Sequence, residues 1–137
     1  MPFYQYVTFT RPDTLTPWWH ESGDPSIDTR TQVKTAQSSV FYSSISPSET
    51  VSSDNLTKVV TTVFNSPQAY LDYRTALKAS DPEIFTKRNR FLIATKQSML
   101  VEWNEDPSAP RNLISKTIPG KPVEYGSTTL PGGLTIN

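Results

Sequence analysis

The densest group of side chains able to do chemistry is Trp18-Trp19-His20-Glu21, with Asp24 and Asp28 close behind. One imidazole beside carboxylates could ligate a metal or act as a general base. A metal centre needs about three protein ligands held by outer hydrogen bonds, and His20 is the only histidine in the chain. A general base needs a nucleophile or an oriented substrate within reach, and 16 serines and 18 threonines single out none. The chain has no cysteine, which removes thiol catalysis, Cys-ligated zinc and disulfides. Gly-x-Ser-x-Gly, phosphate-loop and dinucleotide-binding glycine patterns are all missing. These residues predict a chain that is not an enzyme, with no catalytic residue, no metal site and no cofactor.

Two other clusters point outward. Adjacent side chains on an extended segment face opposite ways, so one of Trp18 and Trp19 can pack inward while the other anchors an interface. The competing reading has both tryptophans filling the core of an apolar-poor domain. Lys87-Arg88-Asn89-Arg90 is the one basic cluster, and on a helix its members spread over most of the circumference. It reads as a solvated face rather than a phosphate site, because the 13 basic and 13 acidic residues cancel to a formal charge of +0. The same balance argues against a nucleic-acid partner. Asn55-Leu56-Thr57 matches a glycosylation acceptor, but without a secretory signal the match reads as chance.

The elements that would carry these residues follow from periodicity. Residues 3–10 alternate, with Phe3, Gln5, Val7 and Phe9 on one face, which predicts a strand that should lie centrally or be well covered. Residues 11–38 read as a long loop punctuated by Pro12, Pro17, Gly23 and Pro25. A second strand is expected over 39–46, a polar connection over 48–55, and a third strand over 56–64. Ser66-Pro67 supplies a cap and a proline at the first helical position. Tyr70, Tyr73 and Leu77 then make one buried stripe ending near Ala79. Asp81-Pro82 repeats that start for a helix to about Gln97, built on Ile84, Phe85, Arg88, Phe91 and Leu92. Helix and strand compete over 91–95. A last strand is expected over 99–103. The fold class is therefore α+β: a small, mainly antiparallel sheet with two helices on one face, over residues 1–105.

Composition changes after Asp106. Pro107, Pro110, Pro119, Pro122 and Pro131 fall there, with Gly120, Gly126, Gly132 and Gly133. Residues 106–137 read as an extended Pro/Gly-rich arm. Across the chain, apolar residues are only 35% and charged residues 19%, against about 25% charged in typical domains. Ser, Thr and 12 Pro take their place. No apolar run approaches the roughly 20 residues that span a bilayer, and the first residues lack a signal-peptide pattern, so no membrane partner is expected.

The opening Met-Pro-Phe-Tyr-Gln-Tyr-Val-Thr-Phe-Thr-Arg-Pro-Asp, the Ser66-Pro67 helix and the Arg88-Asn89-Arg90 helix before a strand resemble small virion structural proteins of tailed bacteriophages. So does the Ser/Thr-rich, Cys-free, charge-balanced style. The resemblance extends over residues 1–105 and carries no site residues. It implies a non-enzymatic subunit of a capsid, tail or baseplate, located in the virion and assembled in host cytoplasm. Its partners would be other virion subunits, including copies of itself, with no small-molecule substrate. Candidate interface residues are Tyr4, Trp18, Trp19, Pro107, Pro110, Pro119 and Tyr125, and trimming 107–137 should leave the body folded. Two alternatives stand beside this. One is a small dimeric α+β enzyme holding an apolar substrate between sheet and helices, with His20, Tyr70, Tyr73 and Arg88 as candidates; a deep apolar pocket with polar groups would favour it. The other is a glycan-binding module stacking sugars on Trp18, Trp19 or Tyr4, which burial of both tryptophans would count against.

Overall fold

A computed structural model of the chain describes residues 1–18, 47–80 and 82–136. Phe3–Thr10 forms strand β1, Ser48–Val51 β2 and Thr57–Phe64 β3. Two helices follow, α1 over Pro67–Ser80 and α2 over Ile84–Ala94. Strands β4 (Ser98–Asn104), β5 (Asn112–Thr117) and β6 (Glu124–Tyr125) and a short 3-10 turn at Pro131–Gly133 complete the described order. The six strands form one antiparallel sheet in the order β2-β3-β1-β4-β5-β6. The α+β class with a mainly antiparallel sheet holds, and β1 takes the central position that its alternating pattern predicts.

The sheet's inner face carries Phe3 and Phe9 of β1, Phe64 of β3, and Met99, Val101 and Trp103 of β4, all buried. Tyr70 and Leu77 of α1 and Ile84, Phe91 and Leu92 of α2 are buried too. Aromatic rings close one end of this interface. Phe3 stacks on Tyr70 at 4.7 Å and on Trp103 at 5.3 Å, and Phe64 meets Tyr70 edge-on at 5.3 Å. Offset and edge-on pairs each add about 0.5–1.5 kcal/mol beyond area burial. A chain poor in aliphatic residues thus closes its core with large rings.

Local chemistry explains the helix ends. The Ala69 N–H donates to Ser66 Oγ at 3.1 Å, and Pro67 takes the first helical position, as Ser66-Pro67 predicts. Asp81 lies outside the described residues, and α2 starts from Glu83 without a side-chain cap. The helix wins over strand at Phe91–Ala94. It ends in a Schellman-type closure: Lys96 N–H donates to Ile93 C=O and Gln97 N–H to Leu92 C=O at 2.8 Å. Lys96 holds the left-handed position at φ 57°.

The strand expected over 39–46 lies outside the described residues, and β2, β5 and β6 depart from the expected pattern. Ser48–Val51, read from sequence as a polar connection, is an edge strand paired with β3. Its turn is built by side chains: Leu56 N–H donates to Asp54 Oδ1 and Thr57 N–H to Ser52 Oγ, both at 3.0 Å, with Asn55 at φ 60°. β4 is not the last strand either. β5 and β6 extend the sheet beyond it, and Leu130 is buried in the core with Leu134 and Ile136 packed against it. Residues 112–136 therefore lie along the chain's own sheet and core.

Candidate functional site

The helices do not fill the sheet's inner face. Leu77 and Ile84, with Tyr73 and Phe85 against them, form a hydrophobic cluster separate from the main core. Between the two clusters lies a cavity of about 490 Å³. Its floor is mainly apolar, with Val7, Phe9, Val60, Met99, Val101 and Ile114 beside the polar Gln5, Thr62 and Ser115. Tyr70, Tyr73, Arg74, Leu77 and Lys78 of α1 and Ile84, Phe85, Arg88 and Asn89 of α2 form its roof. Tyr125, Ser127 and Thr128 close a third side. Ligand pockets are commonly 300–1,000 Å³, mostly apolar, with a few convergent polar groups, and this one fits that description.

The cationic groups gather at the helical wall. Gln5 Nε2 donates to Tyr70 Oη at 3.4 Å, and Arg74 Nη1 donates to the same oxygen at 3.5 Å. The Phe85 ring is the centre of a cationic group: Arg74 lies 4.7 Å from its centroid, Arg88 5.0 Å and Lys78 5.7 Å. Cation–π contact accommodates positive charge beside an apolar surface, yet the charges still repel one another. Burial pushes the Arg88 guanidinium down to about 10, and the Arg74 charge pushes the same way. The phenols of Tyr70, Tyr125 and Tyr73 oppose that shift. Arg88 stays cationic at neutral pH. Lys78 is also lowered, first by burial and then by Arg74. Among the described residues the carboxylate on the cavity lining is Glu49, at the β2 edge, where it lies 3.8 Å from Lys58 Nζ.

Of the residues singled out from sequence, Tyr70, Tyr73 and Arg88 meet in this cavity, while His20 lies outside the described residues. The cluster Lys87-Arg88-Asn89-Arg90 splits: Arg90 is exposed, but Arg88 and Asn89 line the cavity, which corrects the reading of a wholly solvated face. Arg74 and Phe85 complete the cationic wall and were not read as functional. The interface candidates do not form one surface. Tyr4 is half-buried on the opposite sheet face. Trp18 is buried at 4% exposure under Arg11, whose guanidinium lies 4.2 Å above its ring, so it is a core residue. Trp19 lies outside the described residues. Pro107 and Pro110 are exposed between β4 and β5, and Pro119 is half-buried. Tyr125 is 71% exposed and also reaches the cavity. Among the described residues no group of three or more His, Asp or Glu is placed to hold a metal, and no helix is long and apolar enough to cross a membrane. Comparison with protein-family models, curated proteins and solved structures finds no match.

Proposed function

We propose that the protein binds a small, largely apolar molecule in the cavity between its sheet and helices. The observation that carries this is the cavity itself: about 490 Å³ of space lined mainly by apolar side chains, with its cations gathered at the helical wall. Its size and mixed lining fall in the range of small-molecule sites. Calorimetric titration of the full chain with 1-octanol and with octanoate tests the reading. Saturable binding is expected for at least one of them, with a higher melting temperature as ligand is added. Val7→Phe, which places a ring in the cavity, should abolish it. If neither compound binds, or if Val7→Phe binds as well as wild type, the reading fails.

A second reading is a subunit of a larger assembly, such as a tailed-phage particle. It is supported by the sheet edge at β2, where all four residues are exposed and, among the described residues, strand pairing is on one side only. Such an edge is a template for strand addition by a neighbouring subunit or a second copy. Val51→Lys places a charge on that edge and should lower the mass measured by light scattering. An unchanged mass would remove the edge from consideration.

A further inference from the structure

The cavity's most unusual occupant is a charge. Arg88 sits within the apolar stripe of α2, between Ile84 and the buried pair Phe91 and Leu92. A guanidinium taken out of water is costly unless it is paired and hydrogen-bonded. Arg88 obtains little of either. Its Nε and Nη2 each reach Asn89 Oδ1 at 3.4 Å, a long contact to a neutral acceptor on the next residue. The titratable groups that act on it are a second cation, Arg74, and the phenol groups of Tyr70, Tyr125 and Tyr73. Among the described residues no carboxylate lies within ion-pair distance of it. The ring of Phe85 offsets part of the charge, but it is shared with Arg74 and Lys78.

A half-buried guanidinium that lines the cavity, with a long contact to a neutral amide and no carboxylate beside it among the described residues, is suited to an anion. We infer that the ligand is an amphipathic anion: an apolar chain on the floor of Val7, Val60, Met99 and Val101, with one carboxylate held at the helical wall by Arg88. A guanidinium presents a planar fork that matches a carboxylate with two parallel N–H···O bonds. Partial burial strengthens those bonds relative to open water. The apolar floor then decides against small hydrophilic anions, which would leave it uncovered.

This inference rests on the cavity binding a small molecule, and the test separates the two. Octanoate and 1-octanol share a chain and differ in the headgroup. The full-length wild type should bind octanoate at least about tenfold more tightly than 1-octanol, the value of one charge-assisted bond to a half-buried cation. Arg88→Met keeps the length and apolar stem but removes the charge, so it should lose the preference for octanoate while keeping 1-octanol affinity. Arg88→Lys keeps the charge and should keep a preference. A cooperative melt of Arg88→Met shows that the variant is folded, and Arg88→Gln, likewise uncharged, carries the comparison if it is not. Equal affinity for the two compounds in wild type, or an octanoate preference that survives Arg88→Met, overturns the anion inference and leaves the cavity reading standing. Binding of neither compound ends both.

Discussion

At the scale of single residues, short polar side chains hold the turns. Asp13 Oδ1 accepts from Leu15 N–H, Thr16 N–H and Thr16 Oγ1, the last two at 2.8 Å. Asp54 accepts from Ser52 Oγ and Leu56 N–H, and Asp106 from Ser108 N–H and Oγ. Each bond favours the ionised carboxyl, and all three are held below the ordinary value of 3.8. A depressed carboxyl binds fewer protons folded than unfolded. Its contribution is therefore complete above the ordinary value and is lost as pH falls through the folded one. The urea midpoint of wild type should hold steady down to about pH 5 and decline below about pH 4. In Asp13→Asn/Asp54→Asn/Asp106→Asn the decline should be shallower, since Asn does not titrate. An equally steep decline would assign the acid sensitivity to other groups. At this scale the candidate site was half legible. Arg88 stands in the apolar stripe Ile84, Arg88, Phe91, Leu92, where a cation is out of place and marks a site. Its basic sequence neighbours Lys87 and Arg90, which read together as a solvated face, and the chain's net charge of +0 hid that signal, because net charge averages over positions that the fold separates.

At the scale of elements, legibility followed how local the cause was. The α1 start needs only Ser66, Pro67 and Ala69, all within one turn, and it could be read directly. β2 could not, because alternation appears only where one face is buried, and Ser48, Glu49, Thr50 and Val51 are all exposed. β5 failed for a different reason. Its register on β4 slips at Val101/Glu102, so that Val101 faces Ser115 and Glu102 faces Leu113, with Ile114 between them. That bulge puts the adjacent residues Ile114 and Ser115 both among the buried positions, and the period of two disappears. The end of α2 is legible by the opposite route, as a rule broken. Its left-handed closing position carries Lys96 where glycine is the usual choice. A left-handed L-residue costs roughly 1–2 kcal/mol, and glycine returns part of that gain as unfolded-state entropy. Lys96→Gly should therefore raise stability by about 0.5–1 kcal/mol in urea unfolding. A loss of stability would mean that the Lys96 side chain makes a contact worth more than the strain.

At the scale of the whole molecule, the question is where the body ends. Proline and glycine gather after Asp106, which from sequence marks a boundary at 105. The structure sets β5 against β4, hangs β6 on β5 through Ser115↔Tyr125, and buries Ile114 and Leu130. Glycine serves that packing at one defined place: the Gly126 N–H donates to Ile114 C=O at 3.0 Å, and a Cβ on Gly126 would overlap the Leu113 carbonyl. Removal of residues 107–137 would take Ile114 and Leu130 from the core and open β4 as a new edge. Each of those side chains contributes about 1.5–3 kcal/mol by burial alone, against a total stability of about 5–15 kcal/mol for a domain. The lost β4–β5 ladder and the missing cavity wall at Tyr125, Ser127 and Thr128 add to that. A chain ending at Asp106 should therefore show no cooperative urea transition and bind neither octanoate nor 1-octanol. A truncated chain that unfolds cooperatively at the wild-type midpoint would return the segment to the status of an appendage. The two outcomes bear on function differently. If the segment is structural, a failure of the truncated chain to join an assembly says nothing about an arm, and the β2 edge becomes the place to look for a neighbour.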